Sequence, residues 1–213
     1  MWPKILWVIK LGGSLLGEPE LPHWLETVSR HGDGRVVIVP GGGIFADVVR
    51  DAQSLSLCSD EVAHRMAVMS MDQYGVMLAG LNPSLVTAES ELEIAERGWQ
   101  HRAIVWLPSK MVMADDAIPK NWQVTSDSLA AWLANKLNAK HLLLVKSVRP
   151  EGNPVSIERL IKDGMVDESF ADFSAGQNFN TWVVGKEDYS AFKTGLTDTE
   201  LAKGAVEVRY AWN

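Results

Sequence analysis

Two short apolar runs that end in glycine constrain the fold of this chain more than any other feature. Ile5 to Leu11 is almost entirely apolar and runs into Gly12-Gly13-Ser14, and Val36 to Val39 is soon followed by Gly41-Gly42-Gly43. Runs of this length are typical of strands buried on both faces, as in parallel sheets. Because parallel strands need a long crossover between them, each glycine turn is predicted to lead into a helix.

The same alternation of strand and helix patterns continues to the end of the chain. Further strands are predicted at 85–87, 104–107, 141–145, 181–184 and 206–210. Helices are predicted at 22–30, 44–53, 60–81, 126–137, 156–162 and 166–173. The long helix at 60–81 has apolar residues near helical spacing, among them Met66, Met69 and Tyr74, and is predicted to be largely buried. The expected fold is α/β, a three-layer αβα sandwich with an open, mostly parallel central sheet.

Composition narrows the range of partners. The 20 Lys and Arg residues are outnumbered by 27 Asp and Glu residues, giving a formal charge of -7 that repels polyanions, so nucleic acid is not expected as a partner. No apolar stretch approaches the roughly 20 residues of a spanning helix, so no membrane association is expected. Cys58 is the only cysteine, which excludes an intramolecular disulfide and fits a cytoplasmic protein. No histidine spacing indicates a protein-bound metal.

The two glycine turns are also candidate phosphate sites. Without a Cβ, their backbone N–H groups can approach bound oxygens, and the following helix N-termini add partial positive charge. Glycine turns also occur purely for tight packing. Lys10 favours phosphate binding, because a buried lysine at the end of an apolar strand needs a negative partner.

Three segments carry a resemblance to a known family. Lys10-Leu11-Gly12-Gly13-Ser14, Pro40-Gly41-Gly42-Gly43 and Thr125-Ser126-Asp127-Ser128-Leu129-Ala130 occur in the order seen in the amino acid kinase superfamily. The resemblance spans most of the chain. It implies one amino acid kinase-like domain over 1–213, with an acceptor-binding part at about 1–120 and a nucleotide-binding part at about 121–213.

Three further segments resemble one branch of that superfamily. They are Gly43 to Asp47, Trp122 to Ser128 and Asp163 to Phe170. The branch contains archaeal and methylotroph proteins and includes the [5-(aminomethyl)furan-3-yl]methyl phosphate kinase of methanofuran synthesis. This resemblance implies an ATP-dependent, Mg²⁺-assisted kinase of a small-molecule acceptor, in a homo-oligomer.

The candidate site residues fall into three groups. The resemblance implies catalytic roles for Lys10, which would neutralise the transferred phosphoryl group, and for Asp127, which would organise Lys10. The residues implied or suggested to bind nucleotide are Gly12, Gly13, Ser14, Ser126 and Lys146. Those implied or suggested to bind the acceptor are Gly41, Gly42, Gly43, Asp47, His64 and Arg65.

Several of these residues have a second interpretation. Asp127 could cap the helix that begins beside it, and Lys146 could be a solvated strand end. Asp47 could be an exposed helix charge, and His64 a satisfied core histidine. Many relatives also carry a second catalytic lysine behind a Gly-x-Met motif. Here Gly164-Met165 is followed by acidic residues, leaving Lys162 and Lys186 as candidates without motif support.

The favoured hypothesis, which follows the resemblance to the furan branch, is transfer of the ATP γ-phosphoryl group to a phosphate monoester, giving a diphosphate in the biosynthesis of a cofactor of methanofuran or methylofuran type. A kinase that converts a carboxylate into an acyl phosphate is one alternative. A non-catalytic, nucleotide-dependent oxyanion-binding or storage protein is another, because molybdenum storage proteins share the superfamily. A nucleotide sensor that changes its oligomeric state is a third.

Overall fold

The computed structural model describes residues 6–210, in which helices alternate with the strands of one sheet. The strands are β1 (Trp7–Leu11), β2 (Val36–Pro40), β3 (Leu85–Ala88), β4 (Ala103–Trp106), β5 (His141–Lys146), β6 (Val155–Ser156), β7 (Asn180–Gly185) and β8 (Val206–Arg209). The helices are α1 (Glu20–His31), α2 (Gly43–Ser56), α3 (Asp60–Leu81), α4 (Glu91–Trp99), α5 (Ser109–Met113), α6 (Ser126–Lys136), α7 (Ile157–Lys162), α8 (Phe170–Ser174) and α9 (Asp198–Gly204). Turns of 3₁₀ helix lie at Gly13–Leu15 and Lys186–Phe192.

The strands lie side by side in the order β3-β4-β2-β1-β5-β7-β8-β6. The first six in this order are parallel; β8 pairs antiparallel with β7, and β6 runs parallel to β8. The prediction of a mostly parallel sheet is confirmed. Because β1 and β2 are central neighbours, their carboxyl ends bring the two glycine turns to the same edge of the sheet.

Alternate residues of the strands enter two separate cores. Ile9 and Leu143 belong to the core under α1, the second half of α3 and α9, whereas Val8 and Leu144 belong to the core under α4 to α8. Helices therefore cover both faces, which confirms the three-layer architecture. Lys10 has the same parity as Val8 and so emerges on the face covered by α6.

The bounds of α3 match the predicted 60–81, but the prediction that this helix is largely buried is wrong. Met66 and Met69 are exposed, as is Val76 at 57% of its surface, whereas Tyr74 and Leu78 are buried. Only one side of α3 packs against α2 and the sheet, and the apolar residues on its other side face outward. The spacing of apolar residues therefore predicted the helix correctly, but it did not predict which face of the helix packs against the rest of the protein.

Smaller differences lie at element ends. The predicted first strand includes Ile5, which is outside the described residues, and α8 begins at Phe170 instead of 166. The four residues before α8 lie in a turn, and the side chain of Asp167 in this turn caps α6. Within residues 6–210, none of the helices combines the length and apolar character needed to cross a bilayer.

Candidate active site at the carboxyl edge of the sheet

The two glycine turns touch each other through their backbones. A Cβ on Gly13 would lie 2.1 Å from the backbone nitrogen of Gly43, and a Cβ on Gly41 would lie 2.4 Å from that of Gly13. Gly43 also adopts a φ of +55°, a backbone conformation that residues other than glycine rarely adopt. Packing therefore explains Gly13 and Gly41, while N–H groups in both turns remain at the strand edge for a bound anion.

Three charged side chains meet next to these turns. One carboxylate oxygen of Asp127 lies 3.0 Å from Lys10 Nζ, and both oxygens accept hydrogen bonds of 2.7 Å from Lys146 Nζ. The three side chains are 7%, 8% and 13% exposed for Lys10, Asp127 and Lys146, respectively. The structure thus joins the predicted Lys10–Asp127 pair and adds Lys146 to it.

Burial and charge oppose each other in this cluster. Burial alone would raise the pKa of Asp127, but the charges of Lys10 and Lys146 and their hydrogen bonds hold it below its ordinary value. Burial lowers the pKa of Lys146 to about 8, against the opposing attraction of Asp127. Asp127 is therefore ionised and a weak base, and its role in the cluster is to position the two ammonium groups.

A different residue caps α6, so the helix-cap interpretation of Asp127 is wrong. Asp167 accepts hydrogen bonds from the backbone nitrogens of Thr125 and Ser128, each 3.1 Å long, and from both hydroxyl groups. These contacts satisfy the N–H group of Ser128 in the first turn of the helix and that of Thr125 directly before it. Asp127 is left free to turn toward the lysines, and the acidic residues after Gly164-Met165 acquire a structural explanation.

A cavity of about 440 Å³ opens beside the glycine turns. Seven residues predicted to bind nucleotide or acceptor line it: Gly13, Ser14, Gly42, Gly43, Asp47, His64 and Ser126. Gly12, Gly41, Arg65 and Lys146 are not in its wall: the two glycines are buried at the strand ends, Arg65 is on the exposed side of α3, and Lys146 is bound to Asp127. Ser126 connects the cavity to the charged cluster, because Asp127 follows it directly.

His64 provides a polar group on the cavity wall. It is 3% exposed, and its Nε2 has no hydrogen-bond partner among the residues that the structure describes. Burial lowers its pKa, and the positive charge of Lys120 lowers it further. The Nε2 atom is itself enclosed, so His64 borders the cavity with a buried ring nitrogen that no described residue pairs, and the interpretation of His64 as a satisfied core histidine does not hold.

Asp47 belongs to a polar group on α2 that sequence reasoning largely missed. Its carboxylate accepts a hydrogen bond of 2.8 Å from Arg50 Nη1, and the Arg50 guanidinium lies 4.6 Å from the ring centre of Trp122. Trp122 Nε1 donates to Gln53 Oε1 at 2.7 Å, which fastens the loop before α6 to α2. The i, i+3 spacing of Asp47 and Arg50 could have indicated their pairing, but no local pattern indicates Trp122.

The two other candidate lysines have different surroundings. Lys162 ends α7 and is exposed. Lys186 follows β7, and its Nζ lies 2.6 Å from Glu18 and 3.7 Å from Glu20, two carboxylates that already balance its charge. Ser147, which was not predicted, joins Ser14 through a hydroxyl contact of 2.9 Å and so links the first glycine turn to the end of β5.

The residues do not fit a metal ion held by the chain itself. Asp127 is occupied by two ammonium groups, and within residues 6–210 no group of three or more His, Cys, Asp or Glu side chains is arranged to hold a metal. A divalent cation at this edge would need ligands from a bound phosphate compound.

Comparisons with known proteins find relatives of this chain both in sequence and in fold. At 28% identity the chain resembles the [5-(aminomethyl)furan-3-yl]methyl phosphate kinase of Methanocaldococcus jannaschii over 147 residues, 66% of this chain and 65% of that protein. The chain thus matches slightly less than two thirds of that relative's length.

Solved structures with the same fold are more distant in sequence. A uridylate kinase from Archaeoglobus fulgidus superposes with a TM-score of 0.70 at 17% identity, covering 96% of this chain and all of that one. An aspartate kinase from Synechocystis superposes with a TM-score of 0.64 at 14% identity, over 98% of this chain and 40% of that one. The family model described as "Amino acid kinase family" matches residues 6–150, which carry both glycine turns, Lys10, Asp127 and Lys146. The chain belongs to the amino acid kinase family.

Proposed function

We propose that this protein is an ATP-dependent kinase of a small metabolite. The observation that carries the proposal is the buried cluster of Lys10, Lys146 and Asp127 beside two glycine turns, in a chain of this family. Phosphoryl transfer requires in-line positioning and neutralisation of charge on the moving phosphoryl group more than covalent chemistry by the protein. Two ammonium groups on one carboxylate supply net positive charge, and the turns supply N–H donors.

The residues proposed to bind ATP lie in the first glycine turn and at the start of α6. N–H groups of Gly12 and Gly13 and the Ser14 hydroxyl would bind ATP phosphate oxygens, and Ser126 would contribute from the start of α6. Lys10 would lie against the transferred phosphoryl group. Mg²⁺ would be carried by the ATP phosphates, because the described residues offer it no site of their own.

The favoured acceptor is a phosphate monoester, which would become a diphosphate. An oxygen of a dianionic monoester attacks phosphorus without losing a proton, so no general base is required, and Asp127 is unsuited to be one. Of the residues that line the cavity, Arg50 offers a contact for an anionic acceptor and Asp47 offers one for an amine. The name of the Methanocaldococcus jannaschii relative describes an acceptor with an amine and a phosphate.

The decisive experiment is ³¹P NMR of the purified protein with Mg-ATP and an acceptor panel. The panel contains an aminomethyl-furan methyl phosphate, UMP, glutamate and aspartate. We expect ADP and a new coupled pair of P–O–P resonances with a monoester only, and Lys10→Met should abolish both. A hydroxamate formed after addition of hydroxylamine with an amino acid would instead establish the carboxylate alternative. ATP retention with a tightly held oxyanion and no ADP would establish the storage alternative.

The assembly and the cellular place of the protein are part of the proposal. The exposed apolar face of α3, which we define as Val62, Met66, Met69 and Val76, has the exposed Arg65 at its border and offers an apolar surface to a second copy of itself around a twofold axis. We therefore propose a homo-oligomer. The cytoplasm is proposed as its location because ATP is available there. The division into an acceptor part at about 1–120 and a nucleotide part at about 121–213 stays a prediction.

A further inference from the structure

We propose that Lys146 is, with Lys10, a second catalytic lysine of this protein. Its Nζ would contact the transferred phosphoryl group on one side while Asp127 holds it on the other. The assignment rests on the proposed kinase function. It differs from the sequence-based expectation, which gave Lys146 only a nucleotide contact and sought a second lysine at Lys162 or Lys186.

The register of the sheet brings Lys146 to Lys10. β1 and β5 are parallel neighbours in which Lys10 is opposite Leu144, so Lys146 lies two residues further along β5 on the same face of the sheet. Both side chains therefore emerge beneath the first turn of α6, where Asp127 receives them. Lys146 is the last residue of β5, at the carboxyl edge where the glycine turns also lie.

The charges of the cluster leave a requirement for an anion. Two ammonium groups and one carboxylate sum to one positive charge, in a site where each side chain is at most 13% exposed. The other acidic group that acts on Lys146 is Asp167, whose oxygens are already engaged by four donors of α6 and Thr125. An uncompensated buried charge is costly, so a phosphate at this edge would complete the cluster.

The alternative lysines are already accounted for. Lys186 is balanced by Glu18 and Glu20, and Lys162 is exposed at the end of α7. Among the three, Lys146 alone shares a carboxylate with Lys10. Two ammonium groups fixed on one carboxylate can contact two different oxygens of the same phosphoryl group.

In the reaction, the bond between the γ-phosphorus and the β–γ bridging oxygen breaks, and its electron pair leaves with ADP. A bond forms between that phosphorus and an acceptor phosphate oxygen that carries no proton. Lys10 and Lys146 remain protonated throughout and neutralise the peripheral oxygens. This is electrostatic stabilisation by positioned charges, worth on the order of 100-fold or more in rate for one such contact.

The test compares Lys146→Met and Lys146→Arg with Lys162→Met as the matched control. Affinities for ATP and AMP are measured first by calorimetry, which needs neither an acceptor nor turnover. We expect Lys146→Met to weaken ATP binding at least about 10-fold while leaving AMP binding within about 2-fold, and Lys162→Met to change neither. Thermal melting verifies that each variant is folded.

Kinetics provide the second readout. For the unmodified protein, kcat/KM for ATP should fall as pH rises above about 8, because Lys146 then loses its proton in the free enzyme. Lys146→Arg should remove this decline while retaining activity, and Lys146→Met should lower kcat by on the order of 100-fold. A purely structural lysine would not produce the change in pH profile.

The outcomes separate the two proposals. If the unmodified protein binds ATP but Lys146→Met binds and turns it over equally well, the assignment of Lys146 is overturned and the kinase function stands. If the unmodified protein does not bind ATP, the kinase function fails and the assignment fails with it. Loss of ATP affinity and of turnover in Lys146→Met, with the pH profile altered in Lys146→Arg, supports the assignment.

Discussion

Asp127 is the residue on which the charged cluster depends. Replacing it with Asn leaves Lys10 and Lys146 side by side with no negative partner in a buried site. We expect Asp127→Asn to lower the free energy of unfolding by about 3–5 kcal/mol, as for other broken buried ion pairs. Urea denaturation at pH 7 measures this change. Adding Lys146→Met should restore part of the lost unfolding free energy by removing one unpaired charge. If the double variant is no more stable than Asp127→Asn, unpaired lysine charge is not the cause of the destabilisation.

The same residue predicts a dependence of stability on pH. The pKa of Asp127 in the folded protein lies below its ordinary value of 3.8, because the attraction of the two lysines outweighs burial. Its contribution is therefore fully present above that ordinary value and is lost as pH falls through the folded pKa. Urea midpoints measured from pH 6 to pH 2.5 should fall more steeply for the unmodified protein than for Asp127→Asn. Parallel curves would exclude this contribution.

Gly13 predicts a clash that involves backbone alone. Its added Cβ would lie 2.1 Å from the nitrogen and 2.3 Å from the Cα of Gly43, neither of which can rotate away. We expect Gly13→Ala to cost about 1–3 kcal/mol of stability and to separate the two turns. Gly80→Ala on α3 is the control, because nothing but the adjoining backbone of its own helix lies within 4 Å of its added Cβ, and it should be neutral or slightly stabilising. Equal urea midpoints for the two variants would contradict the close approach.

At the scale of elements, α6 depends on a cap supplied from 39 to 42 residues away. Asp167→Ala removes the acceptor of Thr125 and Ser128 and leaves N–H groups at the helix start without it. We expect a loss of about 2 kcal/mol in unfolding free energy, at the upper end for helix caps, and reduced turnover because Ser126 and Asp127 begin this helix. Glu168→Ala, which loses one exposed contact with Gln123, should change little in the same denaturation and turnover assays.

The bounds of a helix were predictable where a strong periodic pattern of apolar residues coincided with a capping residue or a proline at its ends. The bounds of α3 at Asp60 and Leu81 match because Ser59 caps one end and Asn82-Pro83 follows the other. The start of α8 was misplaced because the turn at Asp167 serves α6, a contact that no local pattern records. The strand β6 has only two residues and exists because β8 pairs with it.

At the scale of the whole molecule, the exposed apolar face of α3 predicts assembly. Met66→Glu combined with Met69→Glu would bring two negative charges into a self-association surface. We expect the mass measured by light scattering after gel filtration to fall to that of one chain, 23.5 kDa. The double variant should still unfold in one cooperative thermal transition, because both substitutions lie on an exposed face. Leu92→Glu on the exposed side of α4 is the control and should leave the mass unchanged. A single-chain mass for the unmodified protein would refute the proposed homo-oligomer.

The sequence alone determined the strand–glycine–helix units and hence the parallel sheet, because both depend on residues adjacent in the chain. It also singled out Lys10 and Asp127, through motifs of a few residues. Tertiary structure alone decided that Lys146 shares Asp127, since that depends on the register of β5 against β1. It likewise decided which face of α3 is buried, because this helix carries apolar residues on two sides and only one of them is covered by α2 and the sheet. Local patterns encode conformation, whereas a shared partner or a covered face is a property of elements distant in sequence.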